Sequence, residues 1–407
     1  MRGIGGPAQL GRRALIGAAP ALFSASRPAR AQPAPIRLGV VLPSAGPGAE
    51  PTRAGAEIAE ELLARRGRPL SLRFASAAGA EAAERAAARL VEEGAGLLLS
   101  ACGEDETASI LALCDRRRVP LIACRAKDPR LTDRGSRMIL RTAPTTSQLL
   151  GRGLGLLRDL HQRAAAPPPQ RLALLHGTDA AGTLLRATLA AVLPAAAPPA
   201  PTLSAIPLDP GSEGLEKALA KLHEAAADVV VVEAPPRLAA SAVAAIAAAG
   251  IRPSGIVAFG LAGLAAQEVL SLPGGAGEGH VTFAPWVDPT SPVTGEVRSL
   301  YERRRMAVPF AIAQGEVALV VDSVLLAAET LARHTGARGP ALAAALRATV
   351  LSRKTLRGPP IRFDQRGQNI ALPSVALQNR HGAPVVVLPA EWAEADPIWP
   401  DPAATRT

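Results

Sequence analysis

Two short charged stretches carry the residues best placed to do chemistry: Gly103-Glu104-Asp105-Glu106 and Arg125-Ala126-Lys127-Asp128. Each follows a short, almost wholly apolar run, Gly96–Cys102 and Val119–Cys124. The carboxylates Glu104 and Asp105 repel an anion and attract a cationic or polyhydroxylated solute. Arg125 and Lys127 could instead neutralise them as a surface ion-pair cluster of small net energy. Glu233 closes a third apolar run, Val229–Glu233, and is a candidate to face the same space. Ser44 opens the Gly/Pro-rich loop 44–51 after the first apolar run and has no base beside it. Asp179 stands just before a helical stretch, where capping the helix is its natural job.

No nucleophile elbow, HExxH, P-loop or paired CxxC occurs. Gly151-Arg152-Gly153-Leu154-Gly155 follows a helical stretch rather than a strand, and its spacing is wrong for a dinucleotide loop. The six histidines are dispersed. Nothing calls for a metal, a cofactor or catalysis, and an exported α/β enzyme is the least favoured reading.

The elements that must position these residues alternate. Apolar runs of strand length suit strands covered on both faces. Thr107–Arg118, between two of them, is helical in pattern and makes a βαβ unit whose strands lie parallel. Ligands of such sheets sit beyond the carboxyl ends of the strands, where both charged stretches fall. The alternation starts with strand Ile36–Leu42, helix Arg53–Arg66, strand Leu70–Phe74 and helix Glu81–Glu93, and it reaches Ile139–Thr142. It begins again with helix Ser147–Leu160 and continues to strand Val281–Phe283. The helical stretches Val293–Arg305, Gly315–Arg333 and Pro340–Leu351 follow, then a strand-rich tail. The chain reads as an α/β protein of two similar halves.

With 407 residues and 48% hydrophobic content, the chain has length for two domains and is not disordered. The formal charge of +10 resembles a nucleic-acid signal, but five of the responsible arginines (Arg2, Arg12, Arg13, Arg27, Arg30) lie in residues 1–31, which hold no acid. The rest are scattered, as on solvated helix faces, so no nucleic-acid partner is expected. Residues 1–31 read as an export signal: paired Arg12-Arg13 of twin-arginine type, the apolar run Ala14–Phe23, then Ala29-Arg30-Ala31 with cleavage before Gln32. A Sec signal is the other possibility. No later segment reads as a membrane span. Of the three cysteines, Cys102 and Cys124 end strands expected to be neighbours, so an exported protein pairs these two first.

Three stretches together carry a resemblance: IRLGVVLPSAG near the start, ACGEDETAS…VPLIAC…DPRLTDRG…ILRTAPTTSQ in the centre, and GPPIRFDQRGQN…VALQNRHGAPVVVLP in the tail. In that order, behind an export signal, they resemble the periplasmic solute-binding proteins of the leucine/isoleucine/valine and amide type, from Ile36 to about Pro400. The resemblance implies a two-lobed type I periplasmic-binding fold, each lobe a mostly parallel sheet flanked by helices. Three crossovers are implied near Arg141–Thr145, Val281–Trp286 and Gly358–Phe363. The lobes would comprise 32–143 with 286–358 and 144–285 with 359–395, leaving a tail at 396–407. It also implies a monomer in the periplasm that closes on a small-molecule ligand and delivers it to an ABC permease. The ligand contacts expected from the residues and the resemblance together are Ser44, Glu104, Asp105, Arg125, Ala126, Lys127, Ala181, Glu233 and Trp286. The matching loop 103–106 is acidic where amino-acid-binding members carry a small hydroxyl residue. Ala180 and Ala181 stand where an aromatic residue often packs, and no acid stands at 261–263. These departures favour, as an alternative, a sensor or degenerate binding protein that supports another periplasmic system.

Overall fold

The computed structural model describes residues 37–400, apart from Pro47, Pro69, 197–198 and 261–262. The expected export signal, its cleavage point and the last residues of the tail lie outside the described residues.

The first sheet is built from β1 (Arg37–Pro43), β2 (Leu72–Ala77), β3 (Ala95–Ser100), β4 (Leu121–Ala123) and β5 (Ile139–Arg141). Its order is β2-β1-β3-β4-β5 and every pair is parallel. The connecting helices are α1 (Ala49–Arg65), α2 (Ala80–Glu92), α3 (Glu104–Arg117) and the single turn α4 (Arg130–Asp133). Leu38, Val40, Leu97 and Leu99 are buried on one face of this sheet, and Val41 and Leu98 on the other. A parallel sheet is covered on both sides, and each fully buried Leu or Val contributes about 1.5–3 kcal/mol.

The chain then crosses into α5 (Thr146–Arg163), β6 (Arg171–Gly177), α6 (Ala180–Ala196), β7 (Thr202–Leu208), α7 (Ser212–Ala225), β8 (Val229–Glu233), α8 (Pro236–Ala248), β9 (Gly255–Phe259), the turn α9 (Gln267–Leu270) and β10 (Val281–Ala284). Returning to the first lobe, it forms α10 (Pro292–Arg303), α11 (Phe310–Arg333) and α12 (Gly339–Ala348), and it ends in the hairpin β11 (Val375–Arg380) and β12 (Ala383–Leu388). The second sheet has the order β12-β11-β10-β9-β8-β6-β7, parallel from β7 to β10 and antiparallel through the hairpin. The result is the expected two-lobed α/β architecture of two mostly parallel sheets with flanking helices.

Several local expectations change. Gly103–Glu106 is not a loop: Gly103 is the extended N-cap and Glu104, Asp105 and Glu106 are the first turn of α3. Apolar periodicity begins only at Thr107, whereas carboxylates are favoured on the unpaired N–H groups of a first turn. Ile361–Asp364 joins neither sheet and makes only isolated bridges, Leu351 with Ile361 and Phe363 with Asn369. Ile361 packs in the first lobe's core, and Gln368 bridges to Arg141 beside the first passage. The helix α11 is long and apolar enough to cross a membrane by composition, contrary to expectation, but 83% of its most apolar window is buried in the protein. It is the spine of the first core. Cys102, Cys114 and Cys124 are buried free thiols rather than a disulfide. The Cys102 Sγ donates to the Val41 carbonyl at 3.5 Å and the Cys124 Sγ to the Ser100 carbonyl at 3.4 Å.

The passages between lobes are knotted together by buried polar groups. Arg141, with no exposed surface, donates from Nε to Gln368 Oε1 (2.6 Å), from Nη2 to Thr132 Oγ1 (2.6 Å) and from Nη1 to the Asp128 carbonyl. Burial pushes its pKa down to about 10, against the pull of Asp128. Gln368 donates in turn to the Ala143 carbonyl at 3.0 Å, and Asn369 to that of Thr142 at 3.0 Å. Beyond the first passage, Thr145 and Gln148 form a reciprocal capping box that starts α5.

Candidate functional site

In both sheets the chain order reverses beside the first strand of the set, at β1/β3 and at β6/β8, and crevices for ligands open at such points. A cavity of about 230 Å³ lies where the carboxyl ends of the two sets converge. The first lobe contributes Gly103 and Glu104 from the start of α3, Arg125 and Lys127 from beyond β4, and Glu316 from α11. The second contributes Asp179 and Ala181 beyond β6, Glu233 at the end of β8, and Gly260 beyond β9.

The charges are paired. Lys127 Nζ reaches across the cleft to Glu233 Oε1 at 3.7 Å, while the Lys127 backbone N–H donates to Glu104 Oε1 at 3.1 Å. Arg125 Nε stands 3.2 Å from Glu316 Oε2, a contact of charge without hydrogen-bond geometry, and Arg125 Nη2 reaches Glu316 Oε1 at 3.4 Å. Arg125 Nη1 also donates to Thr52 Oγ1 at 3.0 Å. Asp179 accepts from the Gly182 N–H at 2.8 Å and so caps α6. Burial works against the charge of Lys127, but Glu233, Glu104 and Glu316 outweigh it and its pKa is raised. Burial also raises the pKa of Glu233, with Asp179 and Glu104 adding to it against the pull of Lys127.

Gly260 leaves room beside the ammonium. Its φ is +118°, and a Cβ there would stand 3.2 Å from Lys127 Nζ. Arg125, Glu316 and Gly103 also wall a wider adjoining space of about 640 Å³, lined by Pro43, Gly46, Ala265 and Val308 among others. The Arg125–Glu316 pair thus stands between an inner chamber and an outer one.

Of the residues singled out in the sequence, Glu104, Arg125, Lys127, Ala181 and Glu233 line the inner chamber together. The others lie elsewhere. Ser44 is exposed at the rim, its N–H bonded to the Ala77 carbonyl. Asp105 is exposed on the outer side of the first turn of α3. Ala126 is fully buried in the core with Leu121 and Ile139. Trp286 is buried against Leu319, Leu356 and Leu372 and braces the second passage, leaving Pro285 to face the chamber. Glu316 also lines the chamber, and the sequence holds a signal for it. It is an isolated carboxylate in the apolar stretch Phe310–Val321, and a charge inside such a helix has a partner.

The sequence pattern of one protein family, described as periplasmic binding protein, matches residues 35–377. The chain belongs to the periplasmic binding protein family. Among curated proteins no sequence matches it. Solved structures share its fold. The leucine binding protein LivK of Thermotoga maritima aligns with a TM-score of 0.72 at 15% identity, covering 86% of this chain and 97% of that one. A putative branched-chain amino acid ABC transporter protein of Silicibacter pomeroyi gives 0.72 at 16%, covering 91% and 100%. The substrate binding protein LivJ of Streptococcus pneumoniae, solved with isoleucine, gives 0.68 at 15%, covering 90% and 100%. This periplasmic binding protein therefore has the type I fold of those structures. Its charged chamber lies at the carboxyl ends of the strands, as the fold dictates.

Proposed function

We propose that this periplasmic binding protein is an exported receptor of an ABC importer. It captures a small polar solute between its lobes by hinge closure and presents it to a membrane permease. One observation carries the reading: a chamber at the meeting of both sets of strand ends, spanned by Lys127 from one lobe and Glu233 from the other. The lobes divide after Ala143, before Trp286 and within 370–374. Glu104, Arg125, Lys127, Ala181, Glu233 and Glu316 are the contacts, with Gly260 giving room. Because each cation has its carboxylate, the solute is one that carries both charges or neutral polar groups, such as an amino acid, an amide or a relative of these. A lone anion would meet Glu104 and Asp179, and a lone cation would meet Arg125 and Lys127.

The test is thermal-shift screening of residues 32–407 against amino acids, amides, polyamines and aromatic acids. A ligand at 100 times its Kd stabilises by about 2.7 kcal/mol. A rise in Tm that Glu233→Gln removes supports the reading. A broad panel with no shift sinks it. One observation favours a second reading, a sensor or degenerate binding protein: the chamber's charges already satisfy one another, so a ligand must compete with the pairs.

A further inference from the structure

A second concave site lies at the opposite end of the first lobe from the cleft. It is a groove of about 910 Å³ between α3 and α12, past the amino ends of β4 and β5. Its floor is apolar and sealed: Leu111 and Met138 are buried, and Ala108, Ala112 and Ala344 keep the walls low. Its rim is arginine. Arg118 projects where α3 ends in a left-handed turn (φ 54°), and Arg134 and Arg137 stand on the turn that leads into β5. All three are exposed, and among the described residues none has a carboxylate partner. Arg347, from α12, donates from Nη2 to the carbonyls of Arg137 (3.2 Å) and Ile139 (3.4 Å), and its buried Nε meets no acceptor. The single lining acid, Asp115, is engaged by Ser136 Oγ at 2.6 Å. Four guanidinium groups line the groove against one carboxylate, with Asp364 acting on Arg347 from outside it, and leave it net positive.

Elsewhere on this protein exposed arginines are repeatedly matched with acids, as in Arg65–Glu61, Arg85–Glu81, Arg116–Glu84 and Arg366–Asp133. Exposed arginines without an acid partner among the described residues, such as Arg73, Arg186 and Arg237, occur singly elsewhere, but here three gather around one groove. We propose that this groove docks an acidic segment of a partner protein. Guanidinium groups match carboxylates in planar, two-point contacts. A concave trough between two helices admits a protruding chain, whereas a flat lipid surface reaches only its rim. The small wall residues let a backbone lie close to the floor. Arg347 already occupies the carbonyls of the β5 edge, so side chains rather than strand addition hold the guest.

The experiment uses the whole protein and a fluorescent peptide alternating Glu with Leu, followed by anisotropy at low and moderate salt. The variant Arg118→Glu/Arg134→Glu/Arg137→Glu is compared with Arg65→Glu/Arg85→Glu/Arg303→Glu, which makes the same change in charge on other helices. Binding that weakens at least ten-fold in the groove variant, less than three-fold in the control, and falls with salt is the expected result. Circular dichroism and Tm confirm that both variants fold; Arg→Gln replaces Arg→Glu if the first does not. Equal losses in both variants, or no peptide binding, overturn the proposal. Flotation with phosphatidylglycerol vesicles is the second arm: groove-dependent vesicle binding without peptide binding overturns it in favour of a lipid surface.

Discussion

Replacing Lys127 by Met removes the only cation that links the two lobes through an ion pair among the described residues. At 3.7 Å the gross attraction at an effective dielectric of 20 is about 4–5 kcal/mol. Desolvation offsets most of this, because the two side chains keep only 24% and 14% of their surface in water. A net contribution of about 1 kcal/mol to the closed arrangement remains, roughly a five-fold shift in the ratio of open to closed lobes. The two partners are not equivalent. Glu233→Gln leaves Lys127 with Glu104 and Glu316 nearby, whereas Lys127→Met leaves Glu233 facing Glu104 and Asp179 with no such cation. Lys127→Met therefore opens the cleft further than Glu233→Gln does. Distances between spin labels at Arg65→Cys and Lys221→Cys, both exposed and on opposite lobes, measure this. The native thiols do not compete for label: burial pushes Cys102 and Cys124 up to about 12 and raises Cys114 as well. The reasoning is refuted by unchanged distance distributions, or by a larger opening in Glu233→Gln.

Gly260→Ala strains a backbone with φ +118° and brings a methyl to 3.2 Å from Lys127 Nζ. It should cost about 1–3 kcal/mol of stability and weaken any ligand that needs Lys127, both read by thermal shift. Thr145→Ala removes the reciprocal cap of α5 and should cost about 1 kcal/mol, a drop in Tm of about 2–4 °C by calorimetry; no drop would mean that the box is ornamental. Burial alone would raise the pKa of Asp228, but the N–H groups of Arg171 and Gln170 and the Arg171 guanidinium hold it below the ordinary value. A lowered carboxylate stabilises the fold above its unfolded pKa and loses that contribution as the pH falls through the folded one. Denaturant titrations of Asp228→Asn should therefore show a penalty at pH 7 that shrinks below about pH 4; a penalty independent of pH would rule out the charge as its source.

Much of the frame is readable in the chain. Val229–Glu233 and Gly255–Phe259 end where their apolar runs end, because a strand buried on both faces has no other composition to show. The ends of those strands point to the site, and five of the nine singled-out residues meet there. What the sequence does not reveal shares a cause: the deciding contact is remote along the chain. Glu316 meets Arg125 only because α11 returns to the first lobe some 190 residues later. Trp286 and Ala126 sit at strand ends but turn into cores that no local pattern reveals. Gln368 meets Arg141, far upstream, which no local pattern announces. Asp105 shows the opposite limit: the loop of acids is a helical turn, and on a helix neighbouring side chains diverge.

The reduced cysteines carry a consequence for how the molecule is made. No disulfide joins these sheets, so closing either core needs no oxidant. Refolding should therefore proceed alike with and without a thiol reductant.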